Sequence, residues 1–255
     1  MSAIGRPEIA TQKRVVDFFQ TKLRYNYIGN LKDRENRNID EEKLITWLTD
    51  HGYSKTIAVR AVEELVKAAT NLQDGLYAAN REVYRLLKYG AKVKENADEN
   101  ETTVYFIDWK TPGENLFDIA EEVTVVANNE KRPDLVVYLN GIAVAVIELK
   151  KSTVSVSNGI RQNLTNQREM FIAPFFTTMQ FCMAGNDSEG LRYGTIKTPE
   201  KYYLEWKKDG FTQYPEERHE MDVHIEEVCA TIPNKLDSAL FAMFYKARFL
   251  NLIHN

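Results

Sequence analysis

Between Arg132 and Lys150 the chain reads RPDLVVYLNGIAVAVIELK, two apolar runs parted by Asn140-Gly141, with Asp134 at the start and Glu148 and Lys150 at the end. Glu148 and Lys150 flank Leu149, so on an extended strand both side chains point to one side. Two carboxylates and an amine converging from otherwise apolar strands suit metal-assisted hydrolysis of a phosphodiester. Mg²⁺ takes hard oxygen ligands, one or two of them carboxylates, and keeps several waters. Asp134 and Glu148 would supply those oxygens, a retained water would attack, and the metal would stabilise charge growing on the phosphate. Lys150 would orient or deprotonate that water, or offset charge on the pentacovalent phosphate. An ordinary strand end accounts for Glu-x-Lys alone. Pro133-Asp134, fourteen residues before Glu148 on the partnering strand, favours the catalytic reading.

Register decides whether Asp134 joins the other two. A plain two-residue Asn140-Gly141 loop pairs Leu139 with Ile142 and Asp134 with Ile147, which turns Asp134 away from Glu148. A three-residue loop with Gly141 as a left-handed bulge pairs Tyr138 with Ile142 and Asp134 with Val146, on the face of Glu148 and Lys150. Diagonal cross-strand neighbours lie about 7–8 Å apart, within reach of a shared cation. The chemistry therefore predicts the second register or an equivalent bulge, and a one-residue slip would dismantle the site.

The elements that must position these residues follow from periodicity. Glu8 to Tyr25, Glu41 to Asp50, a segment opening at Ser54, and Asn80 to Lys88 read as helices. Lys92–Lys94 with Thr102–Asp108 reads as a hairpin, and Glu121–Ala127, Leu135–Leu139, Ile142–Leu149, Phe175–Ala184 and Tyr193–Ile196 as strands. Ser157 to Met170 and Leu236 to His254 read as further helices, the last with Leu240, Phe241, Phe244, Phe249 and Leu252 as an exposed apolar surface for a partner. The expected fold class is α/β, a mixed, mainly antiparallel central sheet flanked by helices. Residues 1–110 form a helical N-terminal part and 111–215 the core that holds the site.

Composition bounds the partners. The 255 residues are 44% hydrophobic and 27% charged, enough for a substantial core. No apolar run is long enough for a membrane span, and the N-terminus lacks a secretory apolar stretch. Cys182 and Cys229 have no metal-ligand spacing and read as buried residues of a reducing compartment, which points to the cytoplasm. A net charge of −4 argues against unaided grip on nucleic acid. The histidines, His51, His219, His224 and His254, show no ligand spacing, and His219 and His224 read as surface residues. Gly185–Gly194 reads as a tight loop between strands rather than a phosphate cradle. Trp47, Trp109 and Trp206 read as packing residues.

Pro133-Asp134 with Glu148-Leu149-Lys150 resembles the PD-(D/E)xK nuclease superfamily. The longer strings KRPDLVVYLNGIAVAVIELKKS, GIRQNLTNQREMFIAPFF and AGNDSEGLRYGTIKTPEKYYLEW are similar to the N-terminal nuclease region of the R subunit of type I restriction endonucleases, over about residues 5–210. That resemblance implies a restriction-endonuclease-like core, catalytic roles for Asp134, Glu148 and Lys150, Mg²⁺ at Asp134 and Glu148, and double-stranded DNA as substrate. It implies methyltransferase and specificity subunits as partners, and a motor, absent here, to which residues 216–255 would lead. No G-x-x-x-x-G-K-[ST] occurs, so ATP belongs to the longer proteins and is not bound by this chain. The family's Q-x-x-x-Y element maps to Gln162, with Asn166 where the family has Tyr. A first-helix carboxylate that supports the metal in this superfamily maps to Glu8, which capping explains equally well. Gln162, Lys151 and Arg161, with Arg168, are candidate DNA contacts. Two rival readings are a free-standing nuclease and a non-catalytic docking module of a DNA-processing complex.

Overall fold

The computed structural model describes residues 8–207 and 216–255. The N-terminal third is α1 (Glu8–Thr21), a short strand β1 (Asn26–Asn30), α2 (Glu41–Asp50), α3 (Lys55–Thr70) and α4 (Gly75–Tyr89). Asp40 and Ser54 start α2 and α3 by accepting the backbone N–H of Lys43 and of Ile57. Gly90, at φ 80°, ends α4. There follow β2 (Ala91–Val93), β3 (Thr102–Val104), β4 (Phe117–Glu121), β5 (Val125–Val126), β6 (Glu130–Lys131), β7 (Leu135–Leu139) and β8 (Ile142–Leu149). The remainder is α5 (Val156–Asn166), β9 (Phe181–Asn186), β10 (Gly190–Gly194), β11 (Leu204–Glu205), α6 (Glu216–Thr231), α7 (Lys235–Phe244) and α8 (Lys246–His254).

Among the described residues, seven strands form one sheet in the order β1-β4-β7-β8-β9-β10-β11. The β1–β4 and β8–β9 pairs are parallel and the other four antiparallel, which makes the sheet mixed and mainly antiparallel as expected. Both faces are covered. On one, Leu135, Val137, Ile147 and Leu149 pack with Phe19, Leu44, Leu65, Leu240 and Phe249 from the helices. On the other, Val136, Tyr138, Val146 and Ala184 pack with Val156 and Ile160 of α5 and with Phe175 and Phe176. Every residue of β7 and β8 is buried, which is why both read as continuous apolar runs.

The register differs from the expectation in its device but not in its outcome. Asn140 (φ 53°) and Gly141 (φ 89°) form a plain two-residue turn, so Leu139 faces Ile142 and Tyr138 faces Ala143. The extra residue lies inside β8 instead. The pairing jumps from Tyr138–Ala143 to Val137–Ala145, which leaves Val144 as a bulge. Val144 and Ala145 both face the first cluster, and alternation resumes with Val146 on the other side. Leu135 then faces Ile147, and the next position brings Asp134 opposite Glu148.

Other expectations are corrected as well. The strand expected at Phe175–Ala184 begins as a 3-10 helix, Ala173–Thr178, and is extended only from Phe181 as β9. The strand expected at Glu121–Ala127 is β4, earlier in the chain, because Asp118 disguises it: its carboxylate is buried in an ion pair with Lys43 and a hydrogen bond from Asn26 Nδ2. Glu122, at φ 52°, then turns the backbone before Val123 and Val125. β1 was hidden by its polar composition, NYIGN, and pairs irregularly with β4 across Tyr27 and Gly29. Leu236 to His254 is two helices rather than one, broken at Tyr245 (ψ 121°). Leu240, Phe241, Phe244 and Phe249 are buried in the chain's own core and Leu252 is half-buried, so the apolar surface offered to a partner does not exist. No helix among the described residues is long and apolar enough to cross a membrane.

Candidate active site

The open end of the β7–β8 ladder is closed by a side chain. Pro133 carries no N–H, and the carbonyls of Pro133 and Asp134 are taken on the β4 side by the N–H groups of Val123 (3.0 Å) and Glu122 (2.8 Å). On the other side, the Leu149 N–H donates to Asp134 Oδ2 at 2.7 Å. The Asp134 carboxylate is thereby pinned against β8 beside Glu148.

Glu148 is fully buried, and neither carboxylate oxygen has a hydrogen-bond donor among the described residues. Such a group is costly unless something else satisfies it. Two elements enclose it. The ladder to β9 pairs Glu148 with Ala184, and Gly159 of α5 lies directly above. A Cβ at Gly159 would stand 2.9 Å from the Cβ of Ala184 and 3.4 Å from that of Glu148. Glycine inside this helix is what lets α5 approach so closely. Asn163, fully buried on the same helix, donates from Nδ2 to the Met183 carbonyl at 2.8 Å and locks α5 onto β9.

Lys150 continues the strand, its N–H donating to the Gly185 carbonyl at 2.9 Å. Its amine lies 2.8 Å from the Leu149 carbonyl, 3.1 Å from Glu8 Oε1 and 3.8 Å from Asp134 Oδ2. Burial pushes the Asp134 carboxyl up to about 6, against the pull of Lys150 and the Leu149 N–H, with Glu8 adding repulsion. Burial and then the neighbouring Asp134 push Glu148 well above the usual carboxylate range. Burial works to lower the Lys150 amine, but Asp134, Glu148 and Glu8 outweigh it and the net direction is up. Two proton-hungry carboxyls and one charged amine thus lie together at the end of β8, with α5 packed close over Glu148. Carboxyls raised by burial beside a charged amine make this cluster a candidate for cation binding or proton transfer.

Asp134, Glu148 and Lys150 therefore converge, and Glu8 reaches them. Glu8 is paired with Lys150. No group of three or more His, Cys, Asp or Glu side chains is placed to hold a metal among the described residues. Gln162 is half-buried, one helical turn beyond Gly159, and Asn166 is 2% exposed and so offers no surface. Lys151 and Arg168 are exposed. Arg161 is exposed, with Nε and Nη2 donating to Glu200 at 2.8 and 2.9 Å. Gly185–Gly194 is mostly strand rather than the expected loop: Gly185 and Asn186 close β9, Gly190–Gly194 is β10, and only the three residues between them turn. His224 is exposed, His51 stacks on the buried Trp47, and the side chain of His219 lies outside the described residues.

Sequence reasoning missed several supports of the site. Gln12, 4% exposed on α1, donates to Glu122 at 3.1 Å and to Glu121 at 3.3 Å, and Arg132 Nε meets Glu122 at 2.8 Å. These contacts hold the segment that carries Asp134. Gly159 was the one readable signal, a glycine inside an otherwise good helix.

Comparison with known proteins identifies the family of the chain. A family described as the type I restriction enzyme R protein N terminus matches residues 6–201. A protein named as the type I restriction enzyme MjaIXP endonuclease subunit of Methanocaldococcus jannaschii is 26% identical over 195 residues, 72% of this chain and 18% of that protein. The type I restriction enzyme HindI endonuclease subunit of Haemophilus influenzae is 26% identical over 155 residues, 58% of this chain and 14% of its own length. The chain thus spans less than a fifth of these relatives.

Proposed function

The chain belongs to the family of type I restriction enzyme R protein N-terminal regions, and from that premise we propose that it is the endonuclease part of a type I restriction system, hydrolysing phosphodiester bonds of double-stranded DNA with Mg²⁺. The observation that carries this reading is the buried Glu148 carboxylate, which has no hydrogen-bond donor and faces Asp134 beside a charged Lys150. Hard carboxylate oxygens left without donors fit a divalent cation that takes one or two carboxylates and keeps its waters. Asp134 and Glu148 would hold it. The bound ion would supply a water acidic enough to attack phosphorus and would offset charge on the phosphoryl oxygens.

The chain's own groups do the rest. The Leu149 N–H keeps the Asp134 carboxylate turned toward the carboxylate of Glu148. Gly159 and Ala184 exclude bulk water from the inner side of Glu148, which strengthens every charge interaction there. Lys150 presents an amine that remains protonated at neutral pH, held by Glu8 at 3.1 Å and lying 3.8 Å from Asp134 Oδ2. It would steady the attacking water and the charge developing on the phosphate. Target recognition by methyltransferase and specificity subunits, and ATP-driven translocation, would come from other parts of the assembly. Delivery of DNA by those parts accounts for a chain whose net charge is −4.

Lys150→Ala separates this reading from a non-catalytic docking role. The variant should lose Mg²⁺-dependent cleavage by about a hundredfold while calorimetry still detects Mg²⁺ binding at the two carboxylates. Wild-type chain that binds neither Mg²⁺ nor Mn²⁺ would remove the nuclease reading. Tight DNA binding at physiological salt would instead favour a nuclease that finds its substrate alone.

A further inference from the structure

The first helix touches the candidate site and the C-terminal helices along a single row of side chains. Glu8, Thr11 and Arg14 recur every three residues on α1 and so lie one above another. Glu8 Oε1 holds the Lys150 amine at 3.1 Å. Thr11 Oγ1 donates to Asp187 Oδ2 at 3.3 Å in the turn between β9 and β10. The Arg14 guanidinium bridges Asp187 and Asp237, the latter in the first turn of α7. The Asp187 side chain is 1% exposed and also accepts from Asn234 Nδ2 at 3.0 Å, and Asn234 caps α7 through its own carbonyl oxygen. One guanidinium thus ties a helix, a hairpin turn and a second helix through two acids. A largely buried ionic bridge of this kind resists rearrangement, because removing one partner strands the others. The same turn reaches the site by a second route, since Gly185, two residues before Asp187, accepts the Lys150 N–H.

We propose that Arg14 is a positioning residue for the Lys150 amine. It fixes α1 against the β9–β10 turn and α7, and α1 carries Glu8, which restrains the amine. Six residues of helix, about 9 Å, separate Arg14 from Glu8, so its action is through the helix and not by contact. Without Glu8 the amine keeps two neighbours, the Leu149 carbonyl at 2.8 Å and Asp134 Oδ2 at 3.8 Å, and turns toward the carboxylates. The position of α7 is thereby read at Lys150 through Asp237, Arg14 and Glu8. The consequence for cleavage rests on the nuclease reading; the mechanical linkage does not.

The test uses the whole chain labelled with carbon-13 lysine, with the Lys150 ε-methylene resonance assigned by its loss in Lys150→Arg. Glu8→Gln, Arg14→Gln and Asp237→Asn should each move that resonance in the same direction. Arg14→Lys should restore most of its position, and Arg14→Gln should add nothing once Glu8 is Gln. In single-turnover cleavage, Arg14→Gln should lower the rate about tenfold with DNA affinity unchanged. A folded Arg14→Gln variant whose Lys150 resonance stays put, while Glu8→Gln moves it, overturns the proposal and leaves the nuclease reading standing. If Arg14→Gln fails to fold, Asp237→Asn releases the bridge from its other end, and an unmoved resonance there overturns the proposal equally. Wild-type chain that never cuts would sink the nuclease reading, and the resonance would still decide the role of Arg14.

Discussion

Glu148→Gln should abolish cleavage and at the same time make the protein harder to melt at neutral pH. The loss of cleavage should be on the order of a thousandfold, about 4 kcal/mol of transition-state stabilisation, because an amide is a poor substitute for a carboxylate as a cation ligand. The gain in stability comes from the same side chain. Glu148 is buried without a donor, and Glu148 and Asp134 both have folded-state affinities for protons above their unfolded values. The folded protein therefore holds more protons than the unfolded chain, and stability falls as pH rises through that interval. For Asp134 the window runs from about 4 to about 6, and Glu148 extends it upward. Glutamine at 148 removes one charge from the pair and relieves the other. In EDTA at pH 7.5 the variant should melt about 5 °C or more above the wild type, and the gap should shrink toward pH 4.5. Mg²⁺ should raise the wild-type melting temperature and leave that of the variant nearly unchanged. A variant that melts below the wild type at pH 7.5, with no effect of Mg²⁺ on either, would remove the strained-carboxylate account.

Gly159→Ala should destabilise the protein by about 2 kcal/mol, and Ala184→Gly in the same chain should recover most of that loss. The added methyl would meet the Ala184 Cβ at 2.9 Å, a group attached directly to β9 that cannot swing aside. The helix must lift, and lifting α5 opens the inner wall of Glu148. The single variant should therefore also cleave more slowly, while the double variant, with the clash removed, should regain both stability and rate. Chemical denaturation of the four chains as a double-mutant cycle measures the coupling. Additive losses in the two variants would mean that the close approach of α5 to the sheet is not what glycine provides here.

Much of this site was readable because charge stands out on an apolar background. Glu148 and Lys150 end a strand whose preceding residues are all apolar, and the Asn140-Gly141 turn announced its partner. The bulge at Val144 was not readable. β8 is buried on both faces, so Ile142 to Ile147 carries no polar residue to mark the phase, and an extra residue leaves no trace in the hydrophobic pattern. Only the demand that Asp134 share a face with Glu148 pointed to a bulge, and it pointed to the loop instead of the strand. β4 and β1 escaped for the opposite reason. Asp118 and the asparagines at 26 and 30 look like loop chemistry until Lys43 and the neighbouring strand satisfy them. The contact of Glu8 with Lys150 escaped because the two lie 142 residues apart. The bridge from Arg14 to Asp187 and Asp237 spans 173 and 223 residues, a separation at which local pattern carries no information.

The two rims of the sheet bear on how the protein behaves in a crowded solution. Among the described residues β1, at one rim, has its ladder interrupted between Tyr27 and Gly29, and Gly29 sits at φ 109°; β11, at the other, is two residues long. A kinked border and a stub are poor templates for another chain's strand. Fibre-like stacking through these borders is thereby discouraged, which suits a protein whose central strands would otherwise be among the stickiest sequences it contains.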